Sequence, residues 1–154
     1  MNSCFHIKDL GPLKYFLGID VARSPQGLFP RQRKYALEII EECGLLGSKS
    51  VGFPMEANYK LALPDRPVIK DPTRYRRLVG RLIYLTITRP ELCYAVHILS
   101  QFMQAPKEAH MEAARRVLQY LKGNPGQGLL LKVTPDLNVS AFCDSDWGAC
   151  PLTR

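Results

Sequence analysis

The chain of 154 residues is long enough for one domain, or for a domain with part of a second, and at 46% apolar it can bury a core. No apolar run reaches the ~18 residues that a membrane span needs, and the opening MNSCFHIKDLG has neither the apolar stretch of a secretory signal nor the Arg- and Ser-rich pattern of a transit peptide. The net charge of +7 has one location: from Arg66 to Lys122 there are eleven Lys or Arg against four Asp or Glu, and the rest of the chain holds ten of each.

Residues 13–22, LKYFLGIDVA, are rich in aromatic and β-branched side chains and lead into a Ser24-Pro25-Gln26-Gly27 turn signal, after which Leu28 and Phe29 resume apolar character. This pattern predicts a β-hairpin. Gly18, inside the first strand, marks a bulge or a close backbone approach, or is simply tolerated there. Residues 32–43, QRKYALEIIEEC, place Tyr35, Ile39 and Cys43 at helical spacing beside Ala36 and Ile40, with Gly44 positioned to end the helix. Residues 47–70, with two glycines and three prolines, read as a linker.

Asp71-Pro72 is a helix start, an N-cap followed by proline at the first position. In the helix that follows, Tyr75, Leu78, Val79, Leu82 and Thr86 are expected to form the apolar side, with Arg74, Arg77 and Arg81 together on the opposite one. Proline disfavours helix in the residue before it, so Thr88-Arg89-Pro90 should interrupt the pattern. A second helix over 91–104, apolar on most sides, should be buried. Pro106 opens a third, with His110, Ala114, Val117 and Leu121 on its apolar side and Glu112 and Arg116 an exposed i,i+4 pair. Two short strands follow, GLLLKV at 128–133 and NVSAFCD at 138–144, and they read as a C-terminal hairpin begun within a new sheet. The expected fold class is therefore α+β: an N-terminal hairpin, a helix, a central three-helix bundle and a C-terminal hairpin.

The five cysteines are odd in number and widely spaced, which suits reduced thiols inside a cell, and with no CxxC pair and three scattered histidines a zinc site is not expected. A localised basic surface suits a polyanion such as nucleic acid. A solubilising helix face accounts for the charge alone equally well. Arg74, Arg77 and Arg81 form a row that suits phosphate contact, since guanidinium groups bind phosphate in bidentate fashion, or they form a solvated face. His110 reads as a core or interface histidine and Cys143 as a small buried residue. Asp146 shares a strand face with Asp144, where the two carboxylates would make a weak Mg²⁺ site, or it begins the turn before Trp147-Gly148.

The phrases KDLGPLKYFLGIDV, QRKYALEIIEECGLL, YRRLVGRLIYLTITRPELCYAV, LSQFMQAPKEAHMEAARRVLQYLKG and AFCDSDWGAC resemble, in order and spacing, the Pol polyprotein of copia-type (Pseudoviridae) retrotransposons. The resemblance covers nearly the whole chain. It implies that residues 1–30 correspond to the end of the reverse transcriptase palm, with a primer-grip-like hairpin. Residues 31–70 would be a thumb-like helix and linker, 71–125 a helical connection, and 126–154 the truncated start of ribonuclease H. Asp144 would match the first metal-binding carboxylate of that nuclease. Two places depart from the family's pattern: Glu91 stands where aspartate is usual, and Phe29-Pro30-Arg31 is less polar than expected. Pro30 would also remove a ladder donor if its strand is internal.

The same resemblance implies Mg²⁺ as the cofactor of the intact enzyme. Two-metal phosphoryl transfer needs several converging carboxylates, yet the 154 residues contain no Tyr-Val-Asp-Asp and only Asp144 from the nuclease set. The expectation is a catalytically inactive piece of a polymerase–nuclease polyprotein, without a cofactor of its own. The alternative is a non-catalytic nucleic-acid-binding module that uses the basic helices of 71–122. The implied partners are an RNA–DNA hybrid or another duplex, bound without sequence preference, and the remainder of a Pol polyprotein, with no membrane.

Overall fold

The computed structural model describes residues 8–9, 11–56, 67–134 and 141, and within them the chain forms four antiparallel strands and four α-helices. The first expected strand is split in two. Strand β1 (Tyr15–Phe16) and β2 (Ile19–Ser24) form their own tight hairpin. Its two turn residues, Leu17 and Gly18, have φ of 48° and 84°. Positive φ at both central residues gives the turn the twist that antiparallel strands need. Gly18 thus supplies a turn conformation rather than a bulge. Strand β3 (Gly27–Arg31) then pairs with β2 across Pro25-Gln26.

A further strand, β4 (Leu131–Lys132), joins this sheet at the far edge, giving the order β1-β2-β3-β4. Residues 131–132 thus join the N-terminal sheet, more than a hundred positions away in sequence, a pairing that the sequence reading did not anticipate. The expected partner strand 138–144 lies outside the described residues, apart from Ala141. The pairing also explains Pro30, which sits in an internal strand. Its carbonyl accepts from the Leu129 N–H at 3.1 Å. The N–H and C=O of a strand residue point to the same side, so the donor that proline lacks would have faced residues 128–129, and the β2–β3 ladder loses nothing.

Helix α1 (Arg33–Glu42) buries Ala36, Ile39 and Ile40. It ends as the glycine signal predicts: Gly44 has φ of 69°, its N–H donates to Glu41 and that of Leu45 to Ile40, so the last carbonyls are satisfied. Helix α2 (Pro72–Leu85) is capped by Asp71, whose carboxylate accepts from the Thr73 and Arg74 amides at 3.0 and 3.2 Å, an arrangement that contributes about 1 kcal/mol. A 3₁₀ turn over Pro90–Leu92 follows the break at Arg89, then α3 (Cys93–Ser100) and α4 (Glu108–Gly123). Helix α3 is shorter than expected and one-sided: Ala95, Val96 and Leu99 are buried, whereas Cys93, Tyr94 and His97 face solvent.

The predicted apolar faces meet. Leu78, Leu82, Val96, Leu99, Val117 and Leu121 all belong to one core, but Ala36, Ile39 and Ile40 join it. The bundle therefore has four helices, not three, with α1 packed on α4 and α2. His110 is a core histidine: its Nδ1 accepts from the Lys107 amide at 2.9 Å, and its ring stacks on Phe102 at 3.9 Å. No helix among the described residues is long and apolar enough to cross a membrane.

Candidate nucleic-acid interface

Helical geometry advances 100° per residue, so Arg74, Arg77 and Arg81 line up within about 60° of one another on α2. They flank the apolar stripe rather than opposing it. In consequence the row faces a cleft of about 290 Å³ where α1, α2 and α4 meet, lined by Arg74, Arg77, Arg81, Glu42, Cys43 and Arg115 above an apolar floor that includes Leu78 and Met111.

The arginines differ in how they are held. Arg81 is the most enclosed: its Nη1 donates to Glu42 Oε2, and its guanidinium lies 5.2 Å from the centroid of the Tyr35 ring. Burial works against its charge, but Tyr35 and Glu42 together more than compensate and its pKa sits above the ordinary value. Arg77 approaches the same Glu42 oxygen at 3.6 Å and is largely exposed. Arg74 and Arg115 are exposed and make no ion pair among the described residues. Burial raises the Cys43 thiol above its usual pKa, while Arg74, Arg115 and Arg81 pull the other way. The thiol stays protonated, a small apolar wall.

An aromatic relay ties this cleft to the N-terminal sheet. Tyr35 meets Tyr84 edge to face at 5.3 Å, and the Tyr84 hydroxyl donates to the Leu17 carbonyl in the β1–β2 turn. Other basic residues of the segment serve the fold. Arg76 donates to the Met103 and Gln104 carbonyls. Arg89, only 2% exposed, pairs with Glu91 at 2.5 Å and donates to the Asn124 carbonyl at 2.9 Å. Arg116 pairs with Glu56 at 3.0 Å rather than with Glu112 as the i,i+4 spacing suggested.

Two members of the cleft escaped the sequence reading. The i,i+4 spacing singled out Arg116 with Glu112 and gave Arg115 no role, although neighbouring helix positions point about 100° apart and it is Arg115 that lines the cleft. Glu42 closes a helix that carries no other sign of function. Asp144, matched to a nuclease carboxylate, lies outside the described residues. Among the described residues no group of three or more His, Cys, Asp or Glu side chains comes together that could hold a metal ion. They do not fit a Mg²⁺ site, and no metal-dependent step is assigned to them.

Comparison with known proteins places this arrangement. Over 147 residues the chain is 44% identical to the retrovirus-related Pol polyprotein from transposon RE1 of Arabidopsis thaliana, covering 96% of the chain and 10% of that polyprotein. It is 30% identical over 155 residues to the Pol polyprotein from transposon TNT 1-94 of Nicotiana tabacum, covering 95% of the chain and 12% of the relative. It is also 44% identical over its full length to an uncharacterized mitochondrial protein of Arabidopsis thaliana, of which it spans 64%. No family model and no solved structure matches. These matches extend over nearly the whole chain, and the chain belongs to the Pol polyproteins of copia-type retrotransposons as the counterpart of one segment of them.

Proposed function

We propose that this segment is a non-catalytic duplex-holding part of a copia-type Pol polyprotein, which grips the phosphate backbone of an RNA–DNA hybrid through Arg74, Arg77 and Arg81 while other parts of a polyprotein perform polymerisation and RNA cleavage. The observation that carries it is the convergence of these three arginines, together with Arg115, on one cleft, inside the stretch that holds the entire net charge. A guanidinium row offers charge and paired donors to phosphate oxygens. The reading assigns these arginines to backbone phosphates, which carry no sequence information, so binding is expected to be independent of sequence. Its strength comes from counterion release and falls steeply with salt.

The test is a titration of fluorescent RNA–DNA hybrids of two unrelated sequences with the purified chain over a range of salt. Equal affinity for both, declining linearly in log–log form with salt, is expected. Strong preference for one sequence, or binding insensitive to salt, overturns the reading. In the same preparation, Mg²⁺-dependent primer extension on a primed RNA template is expected to be absent, and measurable extension would refute the non-catalytic assignment.

A further inference from the structure

Among the described residues Glu42 is the sole carboxylate lining a cleft with four arginines, and it reaches two of them, the enclosed Arg81 and the largely exposed Arg77. We infer that the cleft between α1, α2 and α4 is a two-sided phosphodiester site in which Arg115 of α4 opposes Arg74 and Arg77 of α2, and in which the Glu42 carboxylate holds the place of the phosphate until a strand arrives. This rests on the proposed function and deepens it, turning a basic row on one helix into a seat with walls on two helices and an internal competitor.

The chemistry follows from the side chains. A carboxylate and a phosphodiester each offer two anionic oxygens to a guanidinium fork, so one substitutes for the other without rearranging the donors. The apolar floor of Leu78 and Met111 displaces water from one side of the charges, and a cleft with low-dielectric walls focuses a positive potential that an open helix face would lose to solvent. Four guanidiniums against one carboxylate leave a formal excess of three positive charges. Arg74 and Arg115, which Glu42 does not engage, remain free to meet an incoming strand. Arg81, stacked on Tyr35, is held in position when the carboxylate leaves. The ligand class is a phosphate oxyanion, available as the phosphodiester of a polynucleotide strand or as free phosphate.

The experiment uses the full chain with two variants, Glu42→Gln and Arg115→Ala, titrated with an RNA–DNA hybrid over a range of salt and, separately, at fixed ionic strength with inorganic phosphate as competitor. Glu42→Gln keeps the shape of the side chain and removes its charge. It should tighten hybrid binding about two- to fivefold per released exposed ion pair and steepen the salt slope by roughly 1 to 2. Arg115→Ala should weaken binding and flatten the slope by about 1. Thermal unfolding of both variants establishes that each is folded. Unchanged or weaker binding by folded Glu42→Gln, or unchanged binding by Arg115→Ala, overturns the two-sided seat. A gain in Glu42→Gln confined to inorganic phosphate and absent for the hybrid assigns the cleft to a free anion and overturns the strand assignment. If replacing the α2 arginines abolishes binding while Glu42→Gln and Arg115→Ala change nothing, this inference fails and the proposed function stands. If the α2 arginines also prove indifferent, both fail.

Discussion

The phenol of Tyr75 on α2, fully buried, donates to the Leu99 carbonyl of α3 at 2.7 Å, 24 residues further along the chain. Burial raises the phenol above its ordinary pKa of 10.0, so it remains a donor throughout the neutral range. The Leu99 carbonyl also accepts from the Phe102 N–H at 3.2 Å, so removing the hydroxyl leaves no orphaned acceptor. Tyr75→Phe should therefore cost only about 1 kcal/mol in urea unfolding, the lower end for a buried hydrogen bond. The pH dependence has a definite sign. The unfolded state loses this proton near pH 10 while the folded state retains it, so the folded state binds more protons above that pH. Stability falls as pH rises past 10. The difference between wild type and Tyr75→Phe should shrink and then reverse in that range, and a difference constant up to pH 11 would contradict the burial argument.

Arg89 predicts a larger effect. Its side chain is 2% exposed, bound to Glu91 and to the Asn124 carbonyl, and lies 5.9 Å from the Tyr120 ring. It fastens the start of the 3₁₀ turn to the end of α4. Arg89→Met leaves the Glu91 carboxylate without its donor, while the Asn124 carbonyl keeps the Gln127 N–H at 3.4 Å. Because Glu91 is 28% exposed, solvent recovers part of the loss, and the expected destabilisation is about 2–4 kcal/mol. Arg77→Ala, whose ion pair is exposed, should change stability by less than about 1 kcal/mol. Chemical denaturation of the two variants side by side checks the ranking, and equal effects would refute it.

The pairing of β4 with β3 rests on a glycine. Gly27 has φ of 152°, and a Cβ placed there would lie 2.0 Å from the Leu131 carbonyl oxygen. Gly27→Ala should push β4 out of the sheet. The Val133 N–H, which donates to the Gln26 carbonyl at 3.0 Å, should then lose its protection in hydrogen exchange, while amides of α2 and α4 keep theirs. Protection at Val133 equal to that of the unaltered chain would show that residues 131–133 do not depend on this sheet.

The helices were legible in the sequence because their signals are local. Asp71-Pro72, Gly44 and the i, i+3, i+4 apolar positions each act within a turn or two, and the structure uses all of them. The strands were less so. A two-residue turn at Leu17-Gly18 places a leucine at positive φ, which propensity argues against, so ten residues of strand-like composition concealed a hairpin. The union of β4 with β3 joins positions about a hundred residues apart, and no period in the sequence reports such a pairing. The candidate site divides the same way. The α2 row could be read from spacing, but its position beside the apolar stripe brought in Arg115 and Glu42 from two other helices, and only the packing of α1, α2 and α4 reveals that.

The central claim is that the arginine row grips phosphate, and the salt dependence of hybrid binding tests it most directly. Each phosphate neutralised contributes roughly 0.9 to the slope of log K against log salt for duplex DNA. Replacing Arg74, Arg77 and Arg81 together by alanine should weaken binding and flatten that slope by about 2 to 3. Replacing Arg23 and Lys34, exposed basic residues on β2 and α1, serves as the control and should leave the slope nearly unchanged. A triple variant that binds the hybrid with wild-type affinity and wild-type slope would contradict the account and reduce the row to a solvated helix face.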